Sequence, residues 1–263
     1  MKKVILLIFS VLLIFLALVP RSVELLNGNF LFGFDQGRDY LAVSNIVVDH
    51  KLTLIGAELG GGFAGFQGIF HGPFYYYFLS IFFILFNGNP YGGIVLMFAS
   101  GLLAIIFGFY LGKKIFGVWG GLVAALFIAA SPPLISQARF IWNPHGAPVF
   151  ILLAFYFLYR FIKTDNKHLK FIFLAAFFSG FVYNFQLGIA LPMCLTLLVF
   201  SLLVLKLRKI SQYLALFLGF ILGFLPMILF ELRHGLVLRG VRGYFEPGQT
   251  AVTAKFVELI LKD

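Results

Sequence analysis

The sequence predicts an all-α integral membrane protein with about seven transmembrane helices, an external interfacial or re-entrant helix and a long first external loop. Hydrophobic residues make up 61% of the 263 residues and charged residues only 11%, whereas a soluble domain is about half apolar and about a quarter charged. The net charge of +10 comes from short basic clusters between apolar runs. This pattern is typical of membrane orientation signals and does not indicate a nucleic-acid partner. We therefore expect one polytopic membrane domain over residues 1–263.

The first apolar run, at 4–19, suits either a transmembrane helix or a secretory signal peptide. No small-x-small cleavage site precedes Arg21, so an uncleaved helix is favoured. Two lysines at its start place the N-terminus in the cytoplasm. A long external loop then covers residues 21–73, and the run 39–49 within it has the apolar spacing of a helix lying at the membrane surface.

The apolar stretch 74–86 decides the predicted topology, because it is shorter than the roughly 20 residues that a transmembrane helix needs. If it does not cross, every basic cluster between later apolar segments faces the cytoplasm, as the positive-inside rule requires. If it crosses, all of these clusters are external. We therefore predict a multi-pass protein of the cell (plasma) membrane. Its predicted transmembrane helices are 4–19, 91–111, 116–131, 147–159, 171–183, 187–205 and 213–230.

This topology places all of the ten acidic residues except Asp165 outside. Four external groups of polar residues are therefore candidates for a site, and each also has a structural explanation. Asp35, Arg38 and Asp39 also suit a local ion pair, with Asp35 as a helix N-cap. His71 and the tyrosines after it also suit an aromatic belt at the membrane interface. The last two groups also suit an ordinary loop and a polar turn, respectively: Arg139 with Asn143, and Glu231 with Arg233 and His234.

The residue types in these groups indicate group transfer from a phosphate-linked lipid. A carboxylate with an ordinary pKa of about 4 is ionised at neutral pH and can accept a proton from a hydroxyl. Arginine and histidine can bind a phosphate and offset its charge. The sequence contains no zinc-ligand spacing, Gly-x-Ser-x-Gly elbow or Walker-type loop. A soluble nucleotide is therefore not indicated, no ligand set for a divalent metal is evident, and the cofactor is unknown.

Two alternatives to an enzyme are a transporter of lipids or small solutes and a non-catalytic membrane scaffold. Transporters place ionisable residues inside their transmembrane helices, near the bilayer midplane. The predicted transmembrane helices here are almost free of charge, which favours an enzyme over a transporter. A scaffold stays open, because only an activity assay distinguishes it.

The chain resembles the polytopic C-type glycosyltransferases, in the branch of the protein O-mannosyltransferases and the lipid A aminoarabinose transferases, and looks like their N-terminal part. After one transmembrane helix, a long external loop carries an acidic-x-x-Arg motif, here Asp35-Gln36-Gly37-Arg38. The loop ends in a cation-Pro motif, here His71-Gly72-Pro73. A Ser-Pro element then precedes an external arginine, here Ser131-Pro132 and Arg139. Where several relatives have a second acid, this chain has Gln36.

The resemblance implies a fold, a reaction and roles for particular residues. It implies that Asp35 is the catalytic base and that a sugar passes, with inversion, from a polyprenyl phosphate to a hydroxyl of a protein, lipid or glycan acceptor. Arg38 and Asp39 would support Asp35, and His71 would lie near the donor phosphate. Weaker correspondences suggest donor or acceptor contacts for Arg139, Asn143, Glu231, Arg233 and His234.

Overall fold

A computed structural model of the protein describes residues 2–59, 69–205 and 207–235, and these ranges are predominantly helical. Within them, the only β pairing is an isolated bridge between Glu58 and Phe70. The all-α class predicted from the sequence is therefore confirmed for the described residues. The α-helices are α1 (Lys2–Leu18), α2 (Val23–Asn27), α3 (Phe34–Val47), α4 (Phe74–Leu85), α5 (Tyr91–Ala130), α6 (Pro132–Gln137), α7 (Ala147–Lys163), α8 (Leu169–Phe181), α9 (Leu187–Leu203), α10 (Ile210–Gly223) and α11 (Leu225–His234).

Several of these helices are long and apolar enough to lie in a membrane. Among the described residues, Tyr91–Ala130 and Asn143–Lys163 qualify as membrane-crossing helices by length and composition. A third qualifies if α10 and α11 count as one bent helix. Three of the other predicted transmembrane segments correspond to shorter apolar helices, at Leu7–Leu18, Leu169–Asn184 and Leu187–Leu203. The number of seven transmembrane helices therefore stays a prediction.

Helix α5 is a hairpin rather than a straight rod of 40 residues. Its backbone leaves helical geometry at Gly117, with φ 77° and ψ −174°. The arms on either side pack against each other through glycine: a Cβ atom at Gly112 would lie 2.6 Å from the carbonyl oxygen of Gly120, and one at Gly108 would lie 2.2 Å from the side chain of Ile128. The two predicted segments 91–111 and 116–131 are thus two antiparallel arms that meet at Gly117.

The predicted helix at 213–230 is not straight. Helices α10 and α11 meet at an angle of 67°, with Phe224 between them in a non-helical conformation. Pro226 explains the break, because proline cannot donate the backbone hydrogen bond and its ring clashes with the carbonyl four residues earlier. The bend directs α11 away from the axis of α10.

Helices α3 and α4 lie in the segment between α1 and α5 and pack on each other. The predicted surface helix at 39–49 is confirmed as a helix, although it begins earlier, at Phe34. Helix α4 begins directly after Pro73 and has 12 residues, consistent with a segment too short to span a bilayer. Both helices contribute buried residues to one core with the end of α8 and the start of α5. Its members include Tyr40, Val43, Tyr75, Tyr76, Leu79, Ile94, Met97, Ile141, Phe181 and Tyr183.

Candidate active site

The first turns of α3 bring Asp35, Arg38 and Asp39 into direct contact. Residues three and four apart on a helix face the same side, and this spacing places Arg38 beside Asp35. The Nη1 atom of Arg38 donates to Oδ1 of Asp35 at 3.0 Å, while Nε and Nη2 donate to Oδ1 of Asp39 at 3.0 and 2.9 Å. One guanidinium therefore bridges two carboxylates.

The predicted ion pair of Asp35 is confirmed by its contact with Arg38, but the predicted N-cap role of Asp35 is wrong. The N-cap is Gly33, and Asp35 lies inside the first turn. Gln36 makes the hydrogen bond that closes this turn, since its Oε1 accepts from the backbone N–H of Gly33 at 2.9 Å. The Nε2 atom of Gln36 also donates to the carbonyl of Ile141 at 2.7 Å. Gln36 thus holds the start of α3 against the segment after α6.

The two carboxylates have very different surroundings. The side chain of Asp35 is 47% exposed and that of Asp39 is 1% exposed. Burial raises the pKa of Asp39, and the hydrogen bonds from Arg38 and Tyr76 partly oppose this change. Burial also acts against the charge of Arg38, but the neighbouring carboxylates outweigh it and raise the pKa of Arg38. Asp39 is therefore a buried anchor for the guanidinium, and Asp35 is the carboxylate within reach of a ligand.

Tyr76, in the first turn of α4, completes this arrangement. Its hydroxyl donates to Oδ1 of Asp39 at 3.0 Å, and the bond is buried. The sequence places Tyr76 in the candidate group of His71 but does not distinguish it from its two neighbours, because a run of three tyrosines also suits an aromatic belt. The period of α4 places neighbouring phenols on different sides, but only the packing of α4 on α3 identifies the one that meets a carboxylate.

His71 lies close to this cluster in the segment before α4, and its side chain is buried. Its backbone N–H donates to the carbonyl of Ala57 at 2.9 Å, and its carbonyl accepts from Gly56 at 2.7 Å. Burial lowers the pKa of His71 to about 4, and the positive charge of Arg38 acts in the same direction. The ring is therefore neutral at pH 7. Its Nδ1 atom accepts from the backbone N–H of Leu187 at 3.4 Å, and a hydrogen bond to the backbone of Tyr183 partly opposes the fall in pKa. In this structure the His71 ring is thus bonded to protein backbone.

Arg139 and Asn143 both have protein partners. Arg139 donates from Nε and Nη2 to the two carboxylate oxygens of Glu24 in α2, at 2.5 and 2.6 Å. The amide nitrogen of Asn143 donates to the carbonyl of Phe185 at 2.8 Å. These bonds connect the segment after α6 to α2 and to the end of α8. In this structure, both side chains act as structural contacts.

Glu231, Arg233 and His234 lie at the end of α11. Nδ1 of His234 is 3.0 Å from the carbonyl oxygen of Phe230, and the side chain of Arg233 is exposed. The ring of Phe230 packs against Phe70, with centroids 5.6 Å apart, which brings α11 to the residue that precedes His71. Across the described ranges, no hydrogen bond or ion pair joins Arg139 or Arg233 to Asp35.

The profile of a family described as dolichyl-phosphate-mannose-protein mannosyltransferase matches residues 70–230, which is more than half of the 263 residues. The matched range begins one residue before His71 and lies after the Asp35 cluster. No curated protein and no solved structure matched.

The family match confirms the resemblance to a C-type glycosyltransferase. It agrees with the apolar helices, and together they indicate a membrane glycosyltransferase of the mannosyltransferase kind. Because the match covers more than half of the sequence, the chain belongs to the dolichyl-phosphate-mannose-protein mannosyltransferase family.

Proposed function

We propose that the protein transfers a sugar from a polyprenyl-phosphate donor to an acceptor hydroxyl at the external face of the cell membrane, with inversion at the anomeric carbon. The N-terminus would be cytoplasmic, and residues 1–263 would belong to one membrane domain. The observation that carries the proposal is the cluster of Asp35, Arg38 and Asp39 in a chain of this family. It offers a half-exposed carboxylate next to a fixed guanidinium.

In this proposal, Asp35 is the general base. It removes the proton from the acceptor hydroxyl while the hydroxyl oxygen forms a bond to the anomeric carbon of the sugar. The bond between that carbon and the lipid phosphate breaks, and its electron pair leaves with the phosphate. Among the described residues, Asp35 accepts its hydrogen bond through Oδ1 alone. The other oxygen, on a half-exposed side chain, is thus placed to receive the proton.

The lipid phosphate gains negative charge as it leaves, so donors near it would lower the barrier. His71 is the proposed hydrogen-bond donor because it directly precedes α4, whose Tyr76 contacts Asp39 of the cluster. Its neutral ring would exchange its contacts with the backbone of Leu187 and Tyr183 for the phosphate. Arg233 is exposed at the end of α11, near the segment that carries His71, and His234 and Glu231 lie beside it. A role for Arg139 requires the phosphate to replace Glu24, and Asn143 would then act from the same segment.

The test of the base is the variant Asp35→Asn in proteoliposomes. The donor is dolichyl phosphate mannose with a radiolabelled sugar, and the acceptor is a peptide rich in serine and threonine. Because the amide cannot accept the hydroxyl proton, we expect label transfer to fall by about 10²- to 10⁴-fold. Asp49→Asn is the matched control, since the Asp49 side chain is 44% exposed and also pairs with a cation, Lys51.

The control should transfer sugar at the rate of the unaltered protein. Full transfer by the Asp35→Asn variant would remove Asp35 from the mechanism. Equal losses in the Asp35 and Asp49 variants would also contradict the proposal, because they would indicate a general effect of charge in this loop.

A further inference from the structure

We infer that Tyr76 is a positioning residue that acts through Asp39 and Arg38 to orient the carboxylate of Asp35. The inference rests on the proposed role of Asp35 as the base. It assigns a function in the reaction to a tyrosine that touches none of the proposed reacting atoms. Its basis is a continuous series of hydrogen bonds between α4 and the exposed start of α3.

The series runs from a buried phenol to a half-exposed carboxylate. The Tyr76 hydroxyl donates to Oδ1 of Asp39 at 3.0 Å. The same oxygen accepts two bonds from Arg38, and the remaining terminal nitrogen of Arg38 donates to Asp35 at 3.0 Å. Tyr76 and Asp39 form the buried end of the series, and Asp35, at 47% side-chain exposure, forms its exposed end.

The buried end of the series determines where Arg38 lies. A carboxylate with 1% exposure must be satisfied by protein donors, because leaving it without them is costly. Arg38 and Tyr76 are those donors, and Tyr76 belongs to a different helix from the other members. The phenol therefore fixes Asp39 relative to α4, and Asp39 fixes the guanidinium that contacts Asp35.

Tyr75 provides a matched control inside the same helix turn. Its side chain is also buried, at 2% exposure, but its hydroxyl has no hydrogen-bond partner among the described residues. Replacing Tyr75 by Phe removes the same atom as replacing Tyr76 by Phe. The two variants thus differ only in whether the lost hydroxyl is connected to Asp39.

The experiment measures kcat and the KM for dolichyl phosphate mannose in proteoliposomes. For Tyr76→Phe we expect a loss of kcat of about 10- to 100-fold, since a hydrogen bond to a charged group is lost, with KM within about twofold. Tyr75→Phe should match the unaltered protein. Asp39→Asn, which keeps the shape of the side chain, should reduce kcat as Tyr76→Phe does.

A double-mutant cycle with Arg38→Lys separates positioning from a merely structural effect. If Tyr76 acts through Arg38, then Tyr76→Phe should lower kcat by less than about twofold when Lys already replaces Arg38. Additive losses in the double variant would overturn the inference, as would equal losses for Tyr75→Phe and Tyr76→Phe.

The outcomes for Asp35 and Tyr76 are distinguishable. Normal kcat in Tyr76→Phe, with no transfer in Asp35→Asn, would overturn the positioning role and leave the proposed base intact. Full transfer in Asp35→Asn would overturn both, because no base would remain for Tyr76 to orient.

Discussion

Arg21 has the most completely buried charged side chain described in this chain, together with Asp39, at 1% exposure. Its Nη1 atom donates to the carbonyls of Leu16 and Ala129 at 2.9 and 2.8 Å, and Nη2 donates to Ile128 at 2.9 Å. The last carbonyls of a helix have no partner within it and carry partial negative charge. Arg21 satisfies such carbonyls at the end of α5 and holds the end of α1 beside them.

Replacing Arg21 by Met should therefore destabilise the protein by about 2–4 kcal/mol, because buried carbonyls lose their donors. The measurement is the free energy of unfolding of the purified protein in detergent, from a denaturant titration. Arg233→Met is the control, and since Arg233 is exposed we expect a change within about 0.5 kcal/mol. Equal changes in the two variants would contradict the assignment of Arg21 as the contact between α1 and α5.

At the scale of elements, α5 depends on a single position that suits only glycine. The φ of 77° with ψ of −174° at Gly117 lies in a region that glycine alone occupies readily. A Cβ atom there would meet nothing within 4 Å. The requirement for glycine is thus a property of the backbone and not of crowding, in contrast to Gly112, where a Cβ would meet the opposite arm.

Gly117→Ala should lower the free energy of unfolding by about 1–3 kcal/mol, since alanine is strained in this conformation. The same denaturant titration measures it. Gly188→Ala is the control, because Gly188 lies in α9 without a positive φ, and a Cβ atom there would meet only the side chain of Gln186, at an ordinary contact distance of 3.8 Å. Alanine there should be neutral or stabilising by up to about 1 kcal/mol. A neutral result for Gly117→Ala would show that the arms are not joined by this turn.

Across the fold, basic residues of α5 and α7 lie together at one end of these helices. The hydroxyl of Tyr159 in α7 donates to the carbonyl of Lys114 at 2.6 Å, which places the turn of α5 beside the end of α7. The ammonium groups of Lys114 and Lys163 lie 5.4 and 5.8 Å from the centroids of Tyr110 and Tyr159. Cations next to tyrosines suit a membrane interface, and the positive-inside rule predicts that this interface is the cytoplasmic one.

A cysteine-accessibility experiment tests this orientation. In a variant with Cys194→Ala, Lys114→Cys should resist a membrane-impermeant maleimide in intact cells and react after permeabilisation. Lys51→Cys should react in intact cells, because its 74% exposed side chain lies in the loop predicted to be external. Reaction of Lys114→Cys from outside would contradict the topology and with it the proposed external site.

The fold could be predicted in outline because apolar runs and basic clusters are local properties of the chain. The all-α class, the surface helix and the two arms of α5 follow from these patterns. The break at Phe224 was missed, although Pro226 is visible in the sequence. A proline near a helix end and one that bends a longer helix look alike until the packing is known.

The candidate site could be predicted only in part. Asp35, Arg38 and Asp39 stand out because charges are rare in this chain, and helix spacing brings them together. The partners of the other candidates could not be predicted. Glu24 lies 115 positions from Arg139, and no local pattern relates the two.

The membrane class, the position of the main charge cluster and the resemblance that the family match confirms can all be predicted from the amino-acid sequence. Four other features emerge only from packing: Asp39 rather than Asp35 is buried, the His71 ring is neutral, Arg139 pairs with Glu24, and Tyr76 rather than Tyr75 contacts Asp39. The reason is physical: hydropathy and helical period depend on neighbours along the chain. Burial, and with it pKa and hydrogen-bond partnership, depends on which distant segments pack together.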